Sequence, residues 1–185
     1  MYSPFRLSRL TTALAVSTFV VAVAGCAPVK VNSYLERGAD FARYRTYNWG
    51  PVDSWTTGDP RLDNNPFFQE RVRAAVDKQL ANKGFEKTTS DGANVRLHYH
   101  ASITQQLDAK SIDTEYGYCD NHDCRPYVYE AGTLLLDFVD TRTNRVVWRG
   151  WAEGSLDGVI DNQQWLEQRV DEAVERILRR LPRAL

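Results

Sequence analysis

Apolar residues recur at intervals of three and four in two separate stretches of the chain, and between them they alternate with polar ones. Phe68, Val72, Ala75, Val76 and Leu80 form the first stripe, with Arg71, Arg73, Asp77 and Lys78 lying off it, which predicts an amphipathic helix. Asn65 ahead of Pro66 supplies an N-cap and a proline where a helix tolerates one, and Lys83 with Gly84 closes it. Trp165, Leu166, Val170, Val174, Ile177, Leu178 and Leu181 build the second stripe. Asp161, with Gln164 three residues on, predicts the capped start of that helix, and Pro182 stops it.

Strand patterns fill the rest. Phe41 to Trp49 concentrates Phe41, Tyr44, Tyr47 and Trp49 around Thr46, and Gly50 with Pro51 ends the run. From Asn94 to Ile103 the side chains alternate, with Val95, Leu97, Tyr99 and Ala101 on one face and Arg96, His98, His100 and Ser102 on the other. Thr133 to Asp140, the turn-forming Thr141 to Asn144, and Arg145 to Gly154 specify a hairpin. Gln105 to Arg125 reads as a long loop or hairpin extension with tyrosines at its base, and Pro51 to Asn65 as a loop. Ala27 to about Asp40 has no sustained periodicity and reads as a tether. The order strand, helix, strand, strand, strand, helix predicts an α+β two-layer sandwich. Its sheet is antiparallel or mixed, of about four to five strands, with two helices on one face.

The N-terminus changes the picture from fold to address. Arg6 and Arg9 precede an uncharged apolar stretch from Leu10 to Ala24, the layout of a signal peptide over residues 1–25. At 1.5 Å per residue, roughly 15 helical residues fall short of the ~30 Å hydrocarbon core, so the stretch is too short to span. Val23, Ala24, Gly25 and Cys26 resemble a lipobox: the thiol can take a thioether-linked diacylglycerol, and the small residues suit a peptidase that cuts before the modified cysteine. An ordinary secretory cleavage site is the rival reading. Cys26 is the expected lipidation site, bearing palmitate-type acyl chains, with residues 26–38 a lipidated tether and 39–185 one α+β domain. Ala27, where inner-membrane retention commonly uses Asp, points to the periplasmic face of the outer membrane.

The precursor carries 23 Lys and Arg against 24 Asp and Glu; without Arg6 and Arg9 the balance is 21 against 24, or −3. That excess makes nucleic acid an improbable partner. With Cys26 acylated, Cys119 and Cys124 remain in an oxidising compartment, where a disulfide is expected to hold the loop between them. A metal site, which Asp120, His122 and Asp123 keep open although a complete tetrahedral set is missing nearby, and free thiols are the alternatives.

Three segments resemble bacterial lipoproteins that carry the domain of unknown function DUF4136. They are Ala39 to Trp49, which is similar to that family's opening aromatic strand, the helix ending in Lys83, Gly84 and Phe85, and Gly132 to Asp140 with Val147, Trp148, Arg149 and Gly150 after the turn. Together they cover most of residues 39–182. The resemblance implies an envelope-anchored α+β domain and carries over no substrate, cofactor or catalytic residue. The Cys119 and Cys124 pair departs from the family pattern.

The candidate chemistry is sparse. His98 and His100 could offer two imidazoles to a metal, with His122 a third, but Arg96 shares their face and the expectation is no metal site. Asp137, Asp140, Asp157 and Asp161 form no motif of paired carboxylates; turn and cap roles account for Asp140 and Asp161, and an outward position or a pairing with Arg149 accounts for Asp137. A phosphate loop and a nucleophile elbow are both lacking. Trp49, Trp55, Trp148, Trp151 and Trp165 either line a groove or serve the core. These features predict a non-enzymatic envelope module without cofactor, anchored to the membrane and contacting an envelope protein. A lipid or small-ligand carrier and a hydrolase are the alternatives.

Overall fold

The computed structural model describes residues 29–51, 59–63, 65–89, 92–108 and 127–182. Two asparagines start its helices. The side-chain oxygen of Asn65 accepts the Phe68 N–H at 3.1 Å, and Pro66 occupies the first position of α1 (Pro66–Asn82). At the other end the Phe85 and Gly84 N–H groups bond to Leu80 and Ala81, with Gly84 at φ +81°, where only glycine sits without strain. Asn162 caps α2 (Gln163–Arg179) through the Trp165 N–H at 3.1 Å. The pattern Asp161 to Gln164 points to Asp161 for that role. Asp161 instead lies one residue outside the cap and meets Arg61 at 3.2 Å.

Among the described residues six strands form one mixed sheet: β1 (Lys30–Leu35), β2 (Thr46–Trp49), β3 (Glu86–Lys87), β4 (Val95–Asp108), β5 (Tyr127–Asp140) and β6 (Arg145–Ser155), in the order β1-β6-β5-β4-β2-β3. The architecture is α+β with two helices on one face, and the sheet exceeds the expected four to five strands. β1, within the stretch read as tether, pairs antiparallel with β6 from Lys30 opposite Glu153 to Leu35 opposite Trp148. Its side chains are mostly exposed, so no burial periodicity marks it, and its pairing partner lies far along the chain. β3 is two residues paired parallel to β2. The aromatic run from Phe41 is not one strand either: Phe41–Arg43 makes a 3₁₀ turn capped by Asp40, and β2 begins only at Thr46. β4 and β5 run on to Asp108 and from Tyr127, so the described part of the Gln105–Arg125 stretch is hairpin extension.

β2 and β4 are parallel because α1 makes the crossover between them, the connection a parallel pair requires. β4 and β6 both run opposite to β5, α1 returns against β4 as the crossover, and α2 returns against β6 with Ala173 near Ala152 and Ile177 near Gly150. The two helices therefore run in the same direction, joined side by side where Arg71 meets Glu167 and Asp171. Their stripes cover Val95 and Leu97 of β4, Leu134, Leu136 and Phe138 of β5, and Trp148 and Ala152 of β6. The Trp148 ring lies across Gly150, where an added Cβ would come within 2.3 Å of the indole and 2.7 Å of Ile177. Glycine there lets β6 and α2 approach through the tryptophan.

Asp140 organises the end of β5. Its carboxylate accepts the N–H groups of Arg142 at 2.8 Å and Thr143 at 2.9 Å and the Tyr44 hydroxyl at 2.9 Å, and Asn144 completes the turn at φ 54°. Burial opposes its ionisation, but those hydrogen bonds outweigh burial and hold the carboxyl below its ordinary value. Burial together with the same contact pushes the Tyr44 hydroxyl up to about 12. A carboxyl with a folded pKa below its unfolded one adds stability above the unfolded value and loses it as pH falls through the folded one. Asp140→Asn is therefore expected to cost about 1–2 kcal/mol at neutral pH. The gap to the parent should shrink as pH falls below about 4, read from urea midpoints at a series of pH values.

Candidate functional site

The helices cover one face of the sheet, and no described helix lies on the other. At the centre of that open face Arg149 grips Asp137 with both arms, Nε to Oδ1 and Nη2 to Oδ2, each at 2.6 Å. The strands cause this: Asp137 and Arg149 are directly opposite in the β5–β6 ladder, and His98 faces Asp137 from β4. His100 Nε2 stands 3.9 Å from Asp137 Oδ2. The Asp137 side chain is only 6% exposed although it points away from the helices, so the pair works in a sheltered setting. Bonding to Asp137 raises the Arg149 guanidinium above its ordinary value. With both oxygens engaged, Asp137 is built to hold a cation in place. Further along the face Tyr129 donates to Gln106 at 2.8 Å and Gln106 to Glu153 at 3.2 Å.

Between the layers, at the end carrying both helix N-termini, lies an apolar cavity of about 60 Å³. Phe68, Ala101, Leu134, Ala152, Leu156 and Val170 wall it, and the small side chains at Ala101, Ala152 and Ala173 make its room. That admits about two water-sized groups. A more polar cleft of about 230 Å³ adjoins it through Phe68, Leu166 and Val170, bordered by Arg61, Arg71, Asp161 and Glu167. Arg61 there reaches Asp59 at 2.5 Å, Glu130 at 3.1 Å and Asp161 at 3.2 Å, and these contacts, Asp59 first, raise its guanidinium pKa.

The residues singled out by sequence fare differently. Cys26, Cys119, Cys124, His122 and Trp55 lie outside the described residues. His98 and His100 share a face with Arg96, and among the described residues no three His, Cys, Asp or Glu side chains gather as a metal site would require. Asp137 and Asp140 hold the places just given, and Asp157 accepts the Glu130 N–H at 3.2 Å. Trp148 is core. Trp49 donates to Asp77 at 2.9 Å and lies beneath Arg73, whose guanidinium carbon is 5.1 Å from the ring centroid. Trp165, assigned by periodicity to the buried stripe, is 54% exposed, because in the first turn of α2 it precedes the part of the helix that meets the sheet.

Sequence reasoning missed two constellations. Asp77, an ordinary solvent-side residue of the α1 pattern, gathers the Tyr47 hydroxyl at 2.8 Å, the Trp49 indole and Lys87 Nζ at 2.7 Å. Burial and that bond push the Tyr47 hydroxyl well above its usual range. Arg61 lies in a stretch read only as loop, and its partners Glu130 and Asp161 lie 69 and 100 residues away. Nothing local signals either.

Among families, the model described as domain of unknown function (DUF4136) matches residues 31–183. Among solved structures, a PDZ domain protein from Parabacteroides distasonis is 11% identical with a TM-score of 0.53, the match covering 85% of this chain and 37% of that one. The present chain thus spans little more than a third of that protein, and the likeness is one of fold. A DUF4136 family protein from Bacteroides thetaiotaomicron is 14% identical with a TM-score of 0.49, covering 86% and 98%. A PelC dodecamer from Paraburkholderia phytofirmans is 8% identical with a TM-score of 0.46, covering 82% and 95%. No curated protein matches the chain.

Proposed function

The chain belongs to the family of the domain of unknown function DUF4136, and on that premise we propose that it is an envelope lipoprotein, anchored through Cys26 at the periplasmic face of the outer membrane, whose folded part is a non-enzymatic interaction module. The observation that carries this reading is the leader, with two arginines, an uncharged apolar stretch and Val23-Ala24-Gly25-Cys26 at its end. The open sheet face, with Asp137 locked by Arg149, supplies a rigid polar surface for an envelope protein partner. Cys119 and Cys124 are proposed to be disulfide-bonded, and neither a cofactor nor nucleic acid enters this reading.

Cys26→Ser is expected to move the protein from the membrane fraction to the soluble one and to abolish metabolic labelling with a palmitate analogue. A substituted protein that still pelleted with membranes and still took the label would overturn the reading.

The apolar cavity beneath Leu134 and Val170 favours a second reading, a carrier for a small apolar ligand between sheet and helices. Native mass spectrometry of protein purified from its own envelope is then expected to find a co-purifying apolar molecule. Its loss in Ala173→Phe, which fills the cavity, would locate the site. Only the bare protein mass would count against the carrier.

A further inference from the structure

We infer that the end of the molecule bearing both helix N-termini rests on the surface of the bilayer, with Trp165 and Phe67 seated at the lipid–water boundary. This rests on the reading of Cys26 as the lipid anchor.

Among the described residues, the exposed large apolar side chains include Phe67 at 73%, Leu107 at 63%, Trp165 at 54% and Val128 at 50%. Singly such residues need no explanation; their placement does. Phe67 and Trp165 lie in the first turns of α1 and α2, and the two helices run in the same direction, so both rings are at one end of the helix layer. Leu107 and Val128 are cross-strand partners where the β4–β5 hairpin extends at that same end. Tyr34 and Leu35, also exposed, sit at the opposite end, and the Tyr34 hydroxyl is bound to Glu36 at 2.7 Å.

The course of the chain says what covers this end. β1 runs antiparallel to β6, with Lys30 opposite Glu153, so the polypeptide enters the sheet where β6 finishes. Val29 lies against Gly154. Four residues beyond Gly154 the chain turns at Gly158, φ +66°, and the Trp165 ring approaches that glycine, 3.9 Å from where a Cβ would stand. Cys26 precedes Val29 by three residues, at most about 11 Å of chain. A lipid on Cys26 therefore holds the helix N-termini against the membrane and leaves the open sheet face free at its side. Tryptophan, with tyrosine, is enriched at the headgroup boundary.

The charges set the kind of surface. Among the described residues Asp59, Glu130, Asp157, Asp161 and Glu167 outnumber Lys30, Arg61 and Arg71 here, and Arg61 is bound to three of those carboxylates. Attraction to anionic headgroups is therefore not the driving force. The surface that fits is zwitterionic phospholipid, and the contact should depend little on salt.

The test places the full-length acylated protein in phosphatidylethanolamine and phosphatidylcholine vesicles, with and without phosphatidylcholine brominated on its acyl chains, and reads tryptophan emission. Bromine should quench the parent, and Trp165→Phe, which keeps an aromatic ring in the first turn of α2, should remove most of that quenching. Phe67→Ser should diminish it further while the protein still floats with the vesicles. Equal quenching in parent and Trp165→Phe, or none in either, would overturn the inference while leaving the anchor intact. A native product whose intact mass shows Cys26 unmodified would remove the anchor and the inference together. Crosslinking that joined Trp165 positions of two copies, with no bromine quenching, would assign this end to self-association instead.

Discussion

Phe138→Ala is expected to lower stability by about 3–5 kcal/mol, the range for emptying the site of a fully buried aromatic ring. Phe138 is completely enclosed, and its ring meets Trp148 at 5.2 Å, Phe41 at 6.2 Å and Phe85 at 6.2 Å. Those three partners come from β6, from the 3₁₀ turn ahead of β2, and from the residue just after the Gly84 cap of α1. One truncation therefore loosens three separate attachments to the sheet. Against a typical total of about 5–15 kcal/mol, such a loss leaves a large unfolded population under mild denaturant. Urea unfolding followed by tryptophan emission should show the midpoint falling sharply with little change in slope. A shift below about 1 kcal/mol would mean that the neighbouring rings close the gap, contrary to the packing described.

The second large effect concerns Asp137 and Arg149. Removing one member of a sheltered ion pair costs more than removing both, because the survivor keeps its desolvation cost without its partner. Arg149→Ala leaves an almost fully enclosed carboxylate without its guanidinium. It should cost about 2–3 kcal/mol, discounted from the fully buried case because the arginine is itself 43% exposed. The double variant Asp137→Leu with Arg149→Met should recover most of that loss, to within about 1 kcal/mol of the parent. The double-variant cycle by urea denaturation decides it. Additive losses from the two positions would show that the bidentate contact contributes little coupling.

Polarity within the strand pattern marks Asp137 and Arg149 as outward residues, but a regular hairpin with Asp140 opposite Arg145 would set Asp137 against Trp148, and the β-bulge between Phe138 and Val139 is what brings Arg149 opposite it. The same local logic exposes the inward faces of β4 to β6, the Asn65 and Gly84 ends of α1, and the turn at Asp140. It fails where a signal is local in form but lies beyond the packed layer, as with Trp165, whose spacing fits the stripe although its helical turn precedes the sheet. It misplaces the second cap by one residue because Asp161 and Asn162 both cap well, and only the backbone at the start of α2 chooses between them.

The sequence by itself determined the short-range features: two amphipathic helices, the alternation of the central strands and the hairpin turn that follows Asp140. Each rests on spacings of a few residues, within which caps, turns and periodic burial act. Tertiary structure alone decided that Lys30–Leu35 closes one edge of the sheet, that β2 runs parallel to β4, and that both helices point the same way. It also decided that Asp77 and Arg61 gather partners from elsewhere in the chain. Those choices depend on which distant segments meet once apolar faces are buried, and a strand that is mostly exposed or a charge that pairs across 100 residues leaves no periodic trace in the residues around it.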